Sequence, residues 1–179
     1  MNDRQLQIID AAIPLFLTEG VGVSTARIAK AAGVSNGTLF NAFATKQDLI
    51  DAIYRLTKTE MFGALTLCRG TFDRAALRQN WDEYLNWARA KPLHPKIMHL
   101  LLDAGLASAR VKAEIDALIQ PYGQALEATF VAGQMRGPNL SYINGLIFFY
   151  LDQVISQDLR GAEEDLAFTM LCDSIGLKP

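Results

Sequence analysis

The sequence predicts an all-α protein of about nine helices. A three-helix N-terminal domain with a helix-turn-helix leads through a long helix into a larger helical domain. Three observations predict this. Apolar residues recur three and four apart through most of the chain, the period of a helix with one buried face. Helix-stopping residues such as Gly20 and the Gly137-Pro138-Asn139 cluster separate these stretches. No stretch alternates apolar and polar residues in the period of a strand, and no internal repeat is present. The boundary between the two domains is placed at 47/48, giving domains 1–47 and 48–179.

The first helix is predicted over Asp3 to Glu19, with Ile9, Ile13, Phe16 and Leu17 inward and Gly20 as its stop. Pro14 lies inside it, removing one backbone hydrogen bond, so a kink or local loosening is expected there. Ser24 can cap a second helix, because its hydroxyl can accept a backbone N–H of the first turn. Ile28, Ala29 and Ala32 share one face of that helix, and Gly33 follows as a residue that adopts the left-handed conformation at no steric cost. Ser35 is a second cap, in reach of the Thr38 amide. Leu39 and Phe43 form the inward stripe of the third helix, leaving Asn36, Gly37, Thr38, Phe40 and Asn41 outward or sideways. Two short helices joined by a tight glycine turn have the geometry that sets the second helix into the DNA major groove.

Thr45-Lys46-Gln47-Asp48 has the form of a capping box with Asp in place of Glu. It opens a long helix carrying Leu49, Ile53, Leu56, Met61, Leu65 and Cys68. A further helix is predicted over 73–90, with Trp81, Tyr84, Leu85 and Ala88 on one face. Lys91 to Pro95, with two prolines, reads as a break. Helices over 96–106 and 109–135 follow, the latter interrupted near Pro121. Two last helices cover about 140–157 and 163–176. The first of these is apolar nearly all round, from Leu140 to Ile155, which implies burial on all sides. It is too short to span a bilayer, and Asn144 and Asp152 interrupt it. One face then packs on its own domain and the other meets a second chain. Ile143, Ile147, Tyr150, Val154, Leu166 and Met170 are the candidate interface of a homodimer.

Ser24, Thr25, Ile28, Ala29, Ala31, Ala32, Gly33, Val34, Ser35, Gly37, Thr38, Leu39, Phe43, Lys46 and Leu49 form a spaced pattern. It resembles the DNA-binding signature of the TetR family of transcriptional repressors. The resemblance covers roughly residues 6 to 58. It implies phosphate contacts from Thr25, Thr38 and Lys46 and base contacts from Asn36, Gly37 and Asn41, within a DNA-facing set that also holds Ser24, Ser35 and Phe40. Phe40 stands where the family usually has a tyrosine, Ala42 where a histidine is common, and Ala26 where some members read a base. Fewer polar contacts to DNA are therefore expected. The resemblance also implies a palindromic operator read by two heads, and a small-molecule pocket in the larger domain that shifts the long helix. Phe62, Leu65, Trp81, Tyr84, Met98, Leu102, Tyr122 and Phe130 are candidates to line an apolar pocket for an unidentified small ligand.

Composition narrows the remaining classes. Half of the 179 residues are apolar, which excludes a disordered chain. Net charge is −2. Residues 1–58 carry six basic against five acidic side chains and the remainder eleven against fourteen, a weak asymmetry of the sign DNA binding needs. Cys68 and Cys172 read as buried thiols, and no residues show metal-ligand spacing. His94, between Leu93 and Pro95, reads as exposed. No nucleophile elbow, phosphate-cradling loop, dinucleotide fingerprint or HExxH is present, so no enzyme, cofactor or metal is expected. With no export signal and no membrane span, the expected location is the cytoplasm. The expectation is a ligand-responsive, homodimeric regulator of double-stranded operator DNA. The alternative is a helical ligand-binding or adaptor protein that has lost DNA binding.

Overall fold

The computed structural model describes residues 1–67 and 72–177, and among them the chain is all-helical. Ten helices follow one another: α1 (Asp3–Glu19), α2 (Thr25–Ala31), α3 (Asn36–Ala42), α4 (Lys46–Ala64), α5 (Arg74–Ala90), α6 (Leu93–Asp103), α7 (Ala109–Leu118), α8 (Gln120–Val131), α9 (Leu140–Ser156) and α10 (Ala162–Ile175). The count exceeds the expected nine because the interruption near Pro121 is complete. Pro121 sits in the first turn of α8, where the missing N–H costs no helical bond.

The ends of α6 and α4, among others, shift from the sequence expectation, while α1 keeps its expected ends. α6 begins at Leu93 rather than 96, because Pro95 also falls in a first turn. α4 ends at Ala64, short of Leu65. Thr66 is instead held to α5, its N–H 2.6 Å and its hydroxyl 2.7 Å from the Glu83 carboxylate. Cys68 lies outside the described residues. α1 runs past Pro14 as one 17-residue element, with Pro14 on its exposed side. Asp10, whose carbonyl loses its partner there, is exposed too, so water can serve that oxygen.

The chain forms two compact units. Unit 1 is Met1–Glu60 with Lys91–Ala117, and unit 2 is Met61–Ala90 with Leu118–Pro179. Packing therefore groups α6 and most of α7 with the N-terminal helices, although the motif boundary at 47/48 assigns them to the larger domain. In unit 1, α1 packs on α2, α3 and α6. Ile8, Ile9, Ala12, Ile13 and Phe16 of α1 are buried, as are Ile28, Leu39, Leu49, Ile53, Ile97, Leu101 and Val111.

One face of α4 carries a row of polar contacts to the segment 106–116. Gln47 Nε2 donates to the Leu106 carbonyl at 2.9 Å, and Asp51 accepts from Ser108. Arg55 binds Glu114 through two N–H groups at 2.9 and 2.6 Å. Buried Lys58 is attracted to Asp116. These four side chains are spaced four, four and three apart, which keeps them on one helical face.

In unit 2, α9 packs on α5, α8 and α10. Trp81, Tyr84, Leu85, Ile143, Leu151, Val154, Phe168, Leu171 and Cys172 are buried there. Helix α9 is not buried all round. Tyr142 and Phe149 remain 52% and 57% exposed, and Leu166 and Met170 of α10 are 60% and 50% exposed.

Candidate nucleic-acid interface

The candidate reading head is built by local signals that close in the expected way. Ser24 Oγ accepts from the Arg27 N–H at 3.2 Å and caps α2. Gly33 adopts φ +66°, and Val34 N–H returns to the Ala29 carbonyl at 3.0 Å, ending the helix. Ser35 Oγ accepts from Thr38 N–H at 3.0 Å and caps α3. Thr45 and Asp48 form the reciprocal box that starts α4. Thr45 N–H donates to the carboxylate at 3.0 Å, and Asp48 N–H to the threonine hydroxyl at 3.1 Å.

Burial along α3 then separates two faces. Leu39 and Phe43 are inward, Thr38 and Ala42 lie at the edge, and Asn36, Gly37, Phe40 and Asn41 are exposed. Thr25 is half-buried and Ser24 and Ser35 are exposed. The Thr38 hydroxyl lies 2.8 Å from Ser35 Oγ, so the two share one hydrogen bond. One of the two O–H groups is spent in that bond, and the other is left to donate to an oxygen outside the chain.

Lys46 behaves differently from the rest. Its ammonium donates to the Val23 carbonyl at 2.6 Å and lies 6.0 Å from the centre of the Phe16 ring. It therefore anchors the start of α4 to the loop before α2. An ammonium has three donors, so two remain.

Two glutamines of α1 complete the head, and the sequence reading missed both. Gln7 Nε2 donates to the Ala32 carbonyl at 2.7 Å, and Gln5 Nε2 to the Ala42 carbonyl at 3.2 Å. Each satisfies a carbonyl at the C-terminal end of one motif helix, where no backbone donor remains. Gln5 also makes a capping box with Asn2 at the start of α1. The available signal was an amide side chain on the turn of α1 that precedes its buried stripe.

The other candidate residues divide between the units. Phe62, Leu65, Trp81, Tyr84, Tyr122 and Phe130 lie in unit 2, whereas Met98 and Leu102 lie in unit 1. Trp81 meets Phe168 edge-on at 5.5 Å, Tyr84 meets Phe148 at 6.0 Å, and Tyr122 meets Phe72 at 5.7 Å. Burial pushes the Tyr84 hydroxyl's pKa well above its ordinary value, and Asp152 adds to this. Asn80 Oδ1 and Trp81 Nε1 are buried and make no hydrogen bond among the described residues.

Of the candidate interface residues, Ile143 and Val154 are fully buried within unit 2, and Ile147 and Tyr150 are half-buried. Leu166 and Met170, also candidates, are exposed, and Tyr142 and Phe149 are exposed beside the candidates of α9. His94 is not exposed: its side chain is 15% accessible, and Nδ1 lies 2.9 Å from Glu60 Oε2. Burial lowers its pKa, against the pull of Glu60. Among the described residues no three His, Cys, Asp or Glu side chains are placed to hold a metal ion. No helix there is long and apolar enough to cross a membrane.

Residues 8–53, from the buried stripe of α1 to the middle of α4, match the bacterial regulatory proteins of the tetR family. The N-terminal domain belongs to the TetR family. Over 63 residues the chain is 36% identical to the HTH-type transcriptional repressor KstR2 of Rhodococcus jostii (strain RHA1). That match covers 35% of this chain and 31% of that protein, so it spans about a third of the relative's length. A TetR family transcription regulator from Marinobacter aquaeolei VT8 superposes with TM-score 0.79 at 19% identity, over 98% of this chain and 96% of that one. AibR, solved in complex with isovaleryl coenzyme A and operator DNA, superposes with TM-score 0.69 at 17% identity, over 98% of this chain and 100% of that one. At such identities the likeness shows a shared fold. The whole chain thus has the all-helical TetR fold, and its signature positions Ser24, Gly33, Ser35 and Thr38 form the caps and turn described above.

Proposed function

We propose that the protein is a transcriptional regulator, most simply a repressor, that binds operator DNA as a homodimer through α3 and is released by a small molecule. The observation that carries the reading is the face of α3. Asn36, Gly37, Phe40 and Asn41 are exposed together on a capped helix whose opposite side is fixed by Leu39 and Phe43. A helix so presented fits the major groove, with Thr25, Thr38 and the two spare donors of Lys46 available to phosphates. The tetR family match and the repressor KstR2 support the same reading.

Dimerisation is supported by the four apolar side chains left outward on α9 and α10. Large apolar side chains left outward on packed helices are a usual ground for a self-complementary interface. Two heads about 34–36 Å apart then read a palindrome. A ligand site is supported by the aromatic interior of unit 2, where Asn80 Oδ1 and Trp81 Nε1 offer an unused acceptor and donor. AibR, which has the same fold, was solved with both isovaleryl coenzyme A and operator DNA, which supports a ligand-responsive reading.

The test is fluorescence anisotropy with labelled duplexes covering the region upstream of the protein's own gene, at moderate salt, against random duplexes. The reading requires preference for one upstream duplex over random DNA by at least tenfold. Equal affinity for both would end it.

A further inference from the structure

The exposed face of α3 carries two amides, one glycine and one phenyl ring, and no charged side chain. Guanine is recognised chiefly by arginine or lysine at O6 and N7, and α3 offers neither. Asparagine matches the N6 and N7 edge of adenine. Phe40 has no polar atom, yet 44% of it is exposed on this face. In the major groove the group that takes an apolar side chain is the C5-methyl of thymine.

Gly37 lies one turn before Phe40 and Asn41. Its backbone φ is not in the left-handed region, and a Cβ built there would meet only Ser35 Oγ, at 3.8 Å. Neither conformation nor internal crowding therefore requires glycine at this point, although glycine inside a helix is unfavourable by roughly 1 kcal/mol relative to alanine. What its missing side chain does provide is open outer surface one helical turn before Phe40.

We propose that α3 reads A·T pairs, with the Phe40 ring seated against a thymine methyl in the space that Gly37 leaves open and the adjacent amides on adenine. This rests on the DNA-binding reading and adds to it the base that Phe40 selects. Phe40 is then a specificity residue, and the missing tyrosine hydroxyl is replaced by base contact.

The test uses the full-length protein and a random-sequence duplex pool. Bound duplexes are selected with the wild type and with Phe40→Ala, and the base pair whose preference disappears in the variant is identified. That pair is expected to be A·T. Replacing its thymidine by deoxyuridine, which removes the methyl alone, should weaken wild-type binding about fourfold per half-site, the worth of one buried methyl. The same replacement should leave Phe40→Ala unchanged, and Phe40→Leu should keep part of the sensitivity. A G·C pair at the position freed by Phe40→Ala, or equal wild-type affinity for thymidine and deoxyuridine duplexes, overturns the proposal while leaving DNA binding intact. A pool in which no sequence is enriched removes the DNA-binding reading and this one with it.

Discussion

Asp51 and Ser108 are joined by two hydrogen bonds. The carboxylate accepts from the Ser108 N–H at 3.0 Å and from its hydroxyl, while Gln47 Nε2 donates to the same carboxylate at 2.9 Å. The Ser108 hydroxyl in turn accepts from the Val111 N–H and caps α7. Asp51 is 2% exposed, so the carboxylate stands in place of water for these donors. It fixes α4, the helix that directly follows the reading head, against the start of α7 within unit 1.

Removing this carboxylate leaves the half-buried Ser108 N–H and hydroxyl without their acceptor. Asp51→Ala should destabilise the protein by about 3 kcal/mol, the range found when one partner of a buried charged hydrogen-bond cluster is lost. Burial pushes the Asp51 carboxyl up, but the Ser108 and Gln47 hydrogen bonds and Arg110 outweigh it and hold its pKa below 3.8. The stabilisation is therefore fully present above pH 3.8 and fades as pH falls through the lower folded value. Urea unfolding should show a decline below pH 4 in the wild type that Asp51→Asn flattens. Equal acid sensitivity in both proteins would contradict this role.

Lys58 is a cation that folding takes out of water. It is 8% exposed, and burial lowers its pKa from 10.5 to about 8, partly opposed by Asp116. The folded state binds the proton less readily than the unfolded chain, so stability rises with pH between about 8 and 10.5 and is lowest below 8. Lys58→Met should keep the packing of the stem and remove the buried charge. Its urea midpoint at pH 7 should equal or exceed that of the wild type, and its rise between pH 8 and 10 should vanish. A lower midpoint at both pH values would mean that the ammonium is a net stabiliser.

The head was legible in the sequence because its determinants are local. Ser24, Gly33, Ser35 and the Thr45–Asp48 pair act within three residues of themselves. Their consequences do not depend on the rest of the fold. Gln5 and Gln7 act across 37 and 25 residues, and Asp51 across 57, so nothing beside them in the chain announces their partners. The outward face of α9 was misplaced for a related reason. A helix apolar on nearly every side carries no periodic mark of which side is inward, so Ile143 and Val154 were as plausible outside as Tyr142 and Phe149. The place of His94 between Leu93 and Pro95 in a proline break implies exposure, but Glu60 on α4 draws it in.

Thr38 and Asn36 should separate positioning from reading. Thr38→Ala removes a hydroxyl at the edge of α3 and its bond to Ser35, and should weaken binding to every duplex by a similar factor. Asn36→Ala keeps the Ser35 cap and, on the proposed reading, loses only the amide that meets a base edge. It should relax preference at one pair per half-site, by about 1–3 kcal/mol of discrimination. Competition binding with a set of single-substitution duplexes distinguishes the two patterns. Loss of preference at one pair in Thr38→Ala would show that the hydroxyl reads sequence.

Phe149 is 57% exposed and stacks edge-on with Tyr150 at 5.8 Å, on the side of the helix away from buried Ile143, Leu151 and Val154. A charge placed there does not enter the core of unit 2, so Phe149→Asp should fold with an unchanged circular dichroism spectrum. In a homodimer packed through α9 and α10, the same charge would be desolvated twice, once from each protomer, facing its own copy across the two-fold axis. The variant should therefore sediment as a monomer and lose most of its affinity for a full palindrome, while a single half-site duplex, already weak, changes little. An unchanged sedimentation coefficient would remove this face from the interface. Monomeric behaviour with undiminished affinity for the palindrome would show that the two heads bind independently.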